Sequence, residues 1–182
     1  TSNGAIANFS NHNGSASETT LATSDGNEKI RLFNNGNVTF ETGGVEGMRM
    51  QSNGKLFVQH TETISGPPGG HLQVAKSNAA ANMVLGAHLN TDGASTFSFV
   101  KSRNSTVGNG STTVNNADVL GTIKWHAADG GDLESIAAAI AAVVDAAPGA
   151  NDMPTRLGFA VTPDGANSPT ERFRISQNGD LT

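Results

Sequence analysis

The chain has 182 residues, of which 36% are hydrophobic and 5% aromatic, with 22 Gly, no Cys and a formal net charge of −5. That is a thin core for a lone globule, the acidic charge is spread with no basic block of the kind that neutralises phosphates, and no apolar run approaches the roughly 18 residues that span a bilayer. Nucleic acid and membrane are therefore excluded as partners, disulfides and thiolate metal sites are excluded as staples, and oligomerisation is the expected source of stability.

In chain order, Thr1 to Asn27 is rich in Asn, Ser, Thr and Gly and reads as short edge-like strands or an extended lead-in, with a turn at Asp25-Gly26. The start "TSNGAIANFS" lacks the charged and apolar regions of a signal peptide. Two copies of one phrase follow, "EKIRLFNNGN" from Glu28 and "EGMRMQSNGK" from Glu46, and a third, "ERFRISQNGD" from Glu171, closes the chain. The shared skeleton is Glu, any residue, apolar, Arg, apolar, two variable residues, Asn-Gly. A two-residue Asn-Gly hairpin would place Leu32 and Val38 on opposite faces. A three-residue loop with its Gly left-handed in a G1 bulge instead pairs Leu32 with Val38 and Ile30 with Phe40. The same loop pairs Met50 with Leu56, Met48 with Val58, and Ile175 with Leu181, so the three copies agree on one register. Arg31, Arg49 and Arg174 then fall on the other face, solvated or reaching a neighbouring chain's carboxylate.

A hairpin this short has one apolar face and nothing of its own to bury it against. Two adjacent copies are too few for a self-sufficient solenoid. The expected arrangement is the same hairpin from several chains around an axis, with Ile30, Leu32, Met48, Met50, Phe173 and Ile175 as candidate residues of the shared core.

"TISGPPGGH", Thr63 to His71, is a Pro/Gly breaker. It divides the chain into a hairpin-repeat segment over residues 1–65, a breaker over 66–71 and a β-rich segment over 72–182. Beyond Leu72 the apolar residues again come in short alternating runs, including "STFSFVKSR", "DVLGTIKWHA" and "TRLGFAVT", punctuated by Asp-Gly turns. One stretch conflicts with this pattern. In "LESIAAAIAAVVDAAPGAND" the Ala content predicts a helix over 134–147 by propensity, whereas Ile136, Ala138, Ile140, Ala142 and Val144 alternate as a strand requires.

The runs "FVKSRNSTVGNG", "DVLGTIKW", "ADGGDL" and "VVDAAPGANDMPTRLGFAVTPDGANSPTERFRISQNGDL" resemble the distal region of bacteriophage tail fibre and tailspike-like proteins, which commonly precedes a self-cleaving intramolecular chaperone of the endosialidase type. The match covers about residues 72–182, with "KSRNST", "DVLGTI", "PGANDMP" and "ERFRI" in the same order and spacing. The resemblance implies a mainly β fold, with short-stranded hairpins and sheets in an intertwined homotrimer, a fibre shaft followed by a broader distal domain. It implies that the Ala-rich stretch is extended and that Thr182 falls about where a cleaved mature fibre ends. It also implies a place in the virion tail, with the chain's own copies, other tail proteins and a host-surface glycan as partners.

Chemistry is sparse. His12, His60, His71, His88 and His126 have no metal-ligand spacing among them. Asp129, Asp132 and Glu134 are hard oxygen ligands in a flexible loop, without the order of a calcium-binding loop, and a solvated turn is the better reading. The same carboxylates, with those of Asp145, Asp152, Asp164 and Glu171, could supply the acid and base of a glycosidase, but the chain is too short for the solenoid or propeller that carries most such sites. No nucleophile-elbow, dinucleotide or phosphate-loop pattern occurs. Trp125 could stack on a sugar ring, yet it alternates with Ile123 and Ala127 as a core or interchain residue does. Lys101 and Arg103 flank a polar loop, Ser102 to Asn116, long enough for recognition. The candidate binding residues are Arg103, Asn109, Asn115, Trp125 and His126, with no catalytic residue, metal ligand or cofactor. The alternatives to a host-recognition fibre are a short polysaccharide depolymerase and a structural fibre that binds nothing itself.

Overall fold

The computed structural model describes residues 10–11, 18–61, 64, 70–88, 90–107 and 112–182. Every regular element among them is a strand, and the strands form two separate sheets. The chain divides into two compact units, Thr1–Val84 and Leu85–Thr182, with one sheet in each.

The first sheet takes its strands in chain order: β1 (Ser10–Asn11), β2 (Glu18–Ala22), β3 (Lys29–Phe33), β4 (Val38–Thr42), β5 (Val45–Met50), β6 (Leu56–Val58) and β7 (Leu72–Val74). Neighbours are antiparallel except β6 and β7, which run parallel. The Pro/Gly stretch at 66–71 lies in the connection between those two strands. Its residues 66–69 are outside the described residues, while the His71 carbonyl accepts the Leu56 N–H at 2.6 Å.

The repeated phrase folds the same way each time. In the first copy Phe33 and Asn37 enclose the three-residue loop: the Phe33 N–H reaches the Asn37 carbonyl at 2.9 Å and the Gly36 N–H reaches the Phe33 carbonyl at 3.0 Å. Gln51, Gly54 and Lys55 repeat the pair of bonds at 2.8 and 2.9 Å, and Ser176, Gly179 and Asp180 repeat it at 2.9 and 3.0 Å. The three glycines Gly36, Gly54 and Gly179 have φ of 83°, 81° and 86°, the left-handed conformation that a G1 bulge needs and that a Cβ disfavours. The register is the expected one, with Leu32 opposite Val38, Ile30 opposite Phe40, Met50 opposite Leu56, Met48 opposite Val58 and Ile175 opposite Leu181.

The Glu and Arg of the phrase are explained by a bulge. Residues i and i+3 of a regular strand point to opposite faces, yet Arg49 donates to both carboxylate oxygens of Glu46 at 2.7 and 2.6 Å. The β4–β5 ladder slips between Phe40 opposite Met48 and Glu41 opposite Glu46, which leaves Gly47 as an extra residue and brings Glu46 onto the side of Arg49. The last copy does the same at Arg172, and Arg174 pairs with Glu171. The first copy has no such slip on β3. There Arg31 turns to Glu41 at 3.0 Å, which Lys29 also reaches at 3.4 Å.

The second sheet is an antiparallel meander of β8 (Val119–His126), β9 (Ile136–Val144), β10 (Thr155–Val161) and β11 (Thr170–Ile175), in spatial order β11-β10-β9-β8. The Ala-rich stretch is β9, extended as the resemblance implies. It lies between β8 and β10 and is hydrogen-bonded to both, so two ladders outweigh the helix preference of Ala. The chain leaves it through Pro148 and Gly149, and Arg156 ties the β9–β10 hairpin with an ion pair to Asp145 at 2.6 Å.

Candidate functional site

Each sheet carries one continuous apolar face. In the first, the register partners Leu21, Ile30, Phe40, Met48, Val58 and Val74 form one row across six strands. Leu32, Val38, Met50, Leu56 and Leu72 form the next. The opposite face is the row Thr20, Arg31, Thr39, Arg49, Phe57 and Gln73. Apart from Phe57, burial within one chain runs against hydrophobicity. Thr39 and Phe57 are 0% exposed, while Leu21 is 53%, Leu32 47% and Met50 51% exposed. The polar face is closed by its own contacts: Phe57 stacks on His60 at 4.7 Å, His60 Nε2 meets the Gln73 carbonyl at 3.0 Å, and the Gln73 side chain accepts the Ile64 N–H. An open groove of about 340 Å³ runs past Leu21, Ile30 and Phe40 on the apolar side.

The second sheet also leaves apolar side chains open, although Val144, on the same side of β9 as Ile140 and Ala142, is 0% exposed. Ile123, Ile140, Phe159 and Phe173 stand opposite one another across all four strands, beside the rows Gly121, Ala142, Leu157, Ile175 and Trp125, Ala138, Val161. Ile123, Trp125, Leu157, Val161 and Phe173 are exposed, and a groove of about 300 Å³ opens among Phe99, Ile123, Ile140 and Leu157. The six residues expected in a shared core, Ile30, Leu32, Met48, Met50, Phe173 and Ile175, all lie on these two faces. Leu21, Phe40, Val74, Ile123, Leu157 and Val161 join them. Phe40 was already paired with Ile30 by the hairpin register; Leu157 and Val161 showed as alternation in "TRLGFAV", and cross-strand register was needed to place the others beside them. Exposed apolar surface on this scale marks a surface that meets a partner.

The second feature is the loop after Lys101. Arg103 makes a two-pronged ion pair with Asp118, Nε to Oδ2 and a terminal guanidinium nitrogen to Oδ1, each at 2.7 Å. Asp118 also accepts the Asn115 N–H at 2.9 Å. The Arg103 guanidinium first, then that N–H, hold the Asp118 carboxyl well below the usual carboxylate range. Ser102 Oγ accepts the Thr112 N–H at 3.0 Å, and the Arg103 N–H reaches the Thr112 carbonyl at 3.2 Å, so the loop is closed at its base. A small cleft of about 220 Å³ lies beside this base, between Lys101, Thr112, Thr113 and Met153. Arg103 and Asn115 thus meet through Asp118, and Asn109 lies outside the described residues.

Trp125 and His126 sit at the other end of β8, six to seven residues from Val119 or about 20 Å along a strand. Trp125 lies on the apolar face, and His126 Nδ1 is buried without a hydrogen-bond partner among the described residues. The carboxylates are engaged locally. Asp129 accepts the Gly131 N–H, the Ser135 hydroxyl and the Asp132 N–H at 2.8, 2.7 and 3.2 Å, which lower its pKa to about 2. Asp145 and Glu171 are ion-paired with Arg156 and Arg174.

No family model and no curated protein matches the sequence. The fold does have counterparts among solved structures. It is similar to the carboxy-terminal domain of the bacteriophage T5 L-shaped tail fibre, with a TM-score of 0.60 and 14% identity, over 92% of this chain and 71% of that one. It is also similar to that domain solved with its intra-molecular chaperone domain, with a TM-score of 0.59 and 16% identity, over 92% of this chain and 49% of the other. The chain therefore has the fold of that fibre domain, and it spans about half the length of the chaperone-bearing form.

Proposed function

We propose that this chain is a segment of a phage tail fibre, which assembles as a homotrimer, forms part of a rod on the virion and displays loops to the host surface. The observation that carries the proposal is the open apolar surface: both sheets leave large apolar side chains exposed, and the first buries Thr39, Glu41, Phe57 and Gln73 on its other face. Three copies set around an axis cover those faces with one another, which no folding of a single chain does for a sheet already closed on its other side. The tail-fibre fold of the neighbours supports the same assignment.

The mechanism is avidity. Three identical loops on a stiff axis meet a repetitive polysaccharide surface together, so weak single contacts become a durable attachment. The loop closed by Arg103 and Asp118 is the recognition element: its base is held by an ion pair and backbone bonds, which fixes where the loop is displayed. Its partners are its own copies, other tail proteins and a host-surface glycan. It needs no cofactor and catalyses no reaction, the acidic residues serving turns and ion pairs.

The test is binding of the labelled chain to bacterial cells and purified surface polysaccharides, beside an Ile30→Asp variant. Binding by the parent that disappears with the trimer supports the proposal. Release of reducing ends from the polysaccharide points to a depolymerase, and no binding to any surface points to a fibre segment without a ligand.

A further inference from the structure

The stretch from Ala94 to Val100, "ASTFSFV", lies in the second unit and belongs to no strand, although its sequence alternates as a strand does. No backbone hydrogen bond joins it to another described residue. Its large apolar side chains are nevertheless exposed, Phe97 by 62%, Phe99 by 49% and Val100 by 92%. Phe97 and Phe99 meet edge to face at 5.0 Å, so they share one side of the stretch. Phe99 lies against Gly121, where a Cβ would come within 2.5 Å of the ring. It therefore joins the apolar face of the second sheet while its backbone groups are left without a protein partner.

The same sheet has an unmet edge. β8 is its last strand, eight residues long, and no described residue hydrogen-bonds to its outer side. The other edge is partly closed, since Arg174 of β11 exchanges backbone bonds with Thr182 at 2.8 and 3.1 Å. A long open edge whose outer half carries Ile123 and Trp125, with Lys124 its one charged residue, is normally paired or covered. An unpaired seven-residue stretch and an unpaired eight-residue edge, each with apolar side chains toward the same face, are complementary. Within one chain Phe99 occupies the face beside Gly121 and leaves the edge itself open.

We propose that the 94–100 stretch of one copy is the missing strand beside β8 of the neighbouring copy, an assignment that rests on the trimer proposed above. The contact is head to tail, so around a threefold axis it closes after three copies with every stretch and every edge paired. It gives the trimer main-chain bonds between copies in addition to apolar packing.

Two measurements on the whole chain test this. The first is hydrogen exchange by mass spectrometry at a concentration where the native mass is three chains. The amides of 95–100 are expected to exchange at least about 100-fold slower than unstructured ones, as paired strands do. The second uses the absence of native Cys: Ser98→Cys combined with Thr122→Cys, or with Lys124→Cys, is oxidised and run on a non-reducing gel. At least one pair is expected to give covalently linked chains up to the trimer. Fast exchange over 95–100 in a confirmed trimer overturns the assignment, as does slow exchange with links formed only within single chains. A native mass of one chain removes the trimer itself, and this pairing with it.

Discussion

At the residue scale, the repeated phrase is decided by one backbone conformation in all three copies and, in the second and third, by one ion pair within the phrase. Gly36 and Gly54 are both left-handed, but their surroundings differ. A Cβ at Gly36 would lie 2.9 Å from the Cβ of Ser52 in the next turn, whereas one at Gly54 meets nothing within 4 Å. The two turns are stacked, with the Ser52 N–H donating to Asn37 Oδ1 at 3.0 Å. Gly54→Ala is expected to cost the left-handed strain alone, about 1 to 2 kcal/mol, and Gly36→Ala distinctly more; thermal unfolding of the two variants side by side checks the order. Acid sensitivity also belongs to single residues. The folded-state pKa of Asp129 is lowered from 3.8 to about 2, so the stabilisation it contributes is complete above about pH 4 and is lost as pH falls toward 2. Its carboxyl chemical shift should titrate with a midpoint near 2, and a midpoint at 3.8 or above would contradict the three hydrogen bonds assigned to it.

At the element scale, the two apolar faces carry the stability that a single chain does not realise. Ile30 is 36% exposed in one chain. If nothing further covers it, Ile30→Asp costs only the packing it already has within one chain and leaves the native mass unchanged. In a shared core the same substitution buries a carboxylate and forfeits about 2 kcal/mol of apolar burial per chain, and the native mass is expected to fall from three chains to one. Asn35→Asp, at an exposed turn position whose side-chain oxygen still accepts the Asn37 N–H, should leave the mass unchanged. The hairpins were legible in the sequence because their turn chemistry is local: Asn-Gly at a fixed offset from alternating apolar residues determines loop length and register together. The bulges at Gly47 and Arg172 were not legible. They depend on how β4 and β10 pair across the sheet, so the purpose of the repeated Glu was visible only once register was known. The Ala-rich β9 shows the opposite failure, because local propensity pointed to a helix and two neighbouring strands decided otherwise.

At the scale of the whole molecule, composition already implied association: a chain with 36% hydrophobic residues and no Cys has little means of stabilising itself alone. The structure locates that need in two faces that alternate correctly and remain open. The loop proposed for recognition was legible as a long polar segment between Lys101 and Asn116. Its closure by Arg103 and Asp118 was not, since a pair 15 residues apart is set by the fold. The expected binding residues Arg103 and Trp125 do not form one site, for they lie toward opposite ends of β8, and the proposal accordingly gives the loop and the apolar face separate roles, attachment and assembly. The most direct measurement of the central claim is the native mass by light scattering during size-exclusion chromatography. The account predicts three times the 18.6 kDa of the chain. A stable monomer of 18.6 kDa would contradict it, because Leu21, Leu32, Met50 and Phe173 would then stand in water with no partner to cover them.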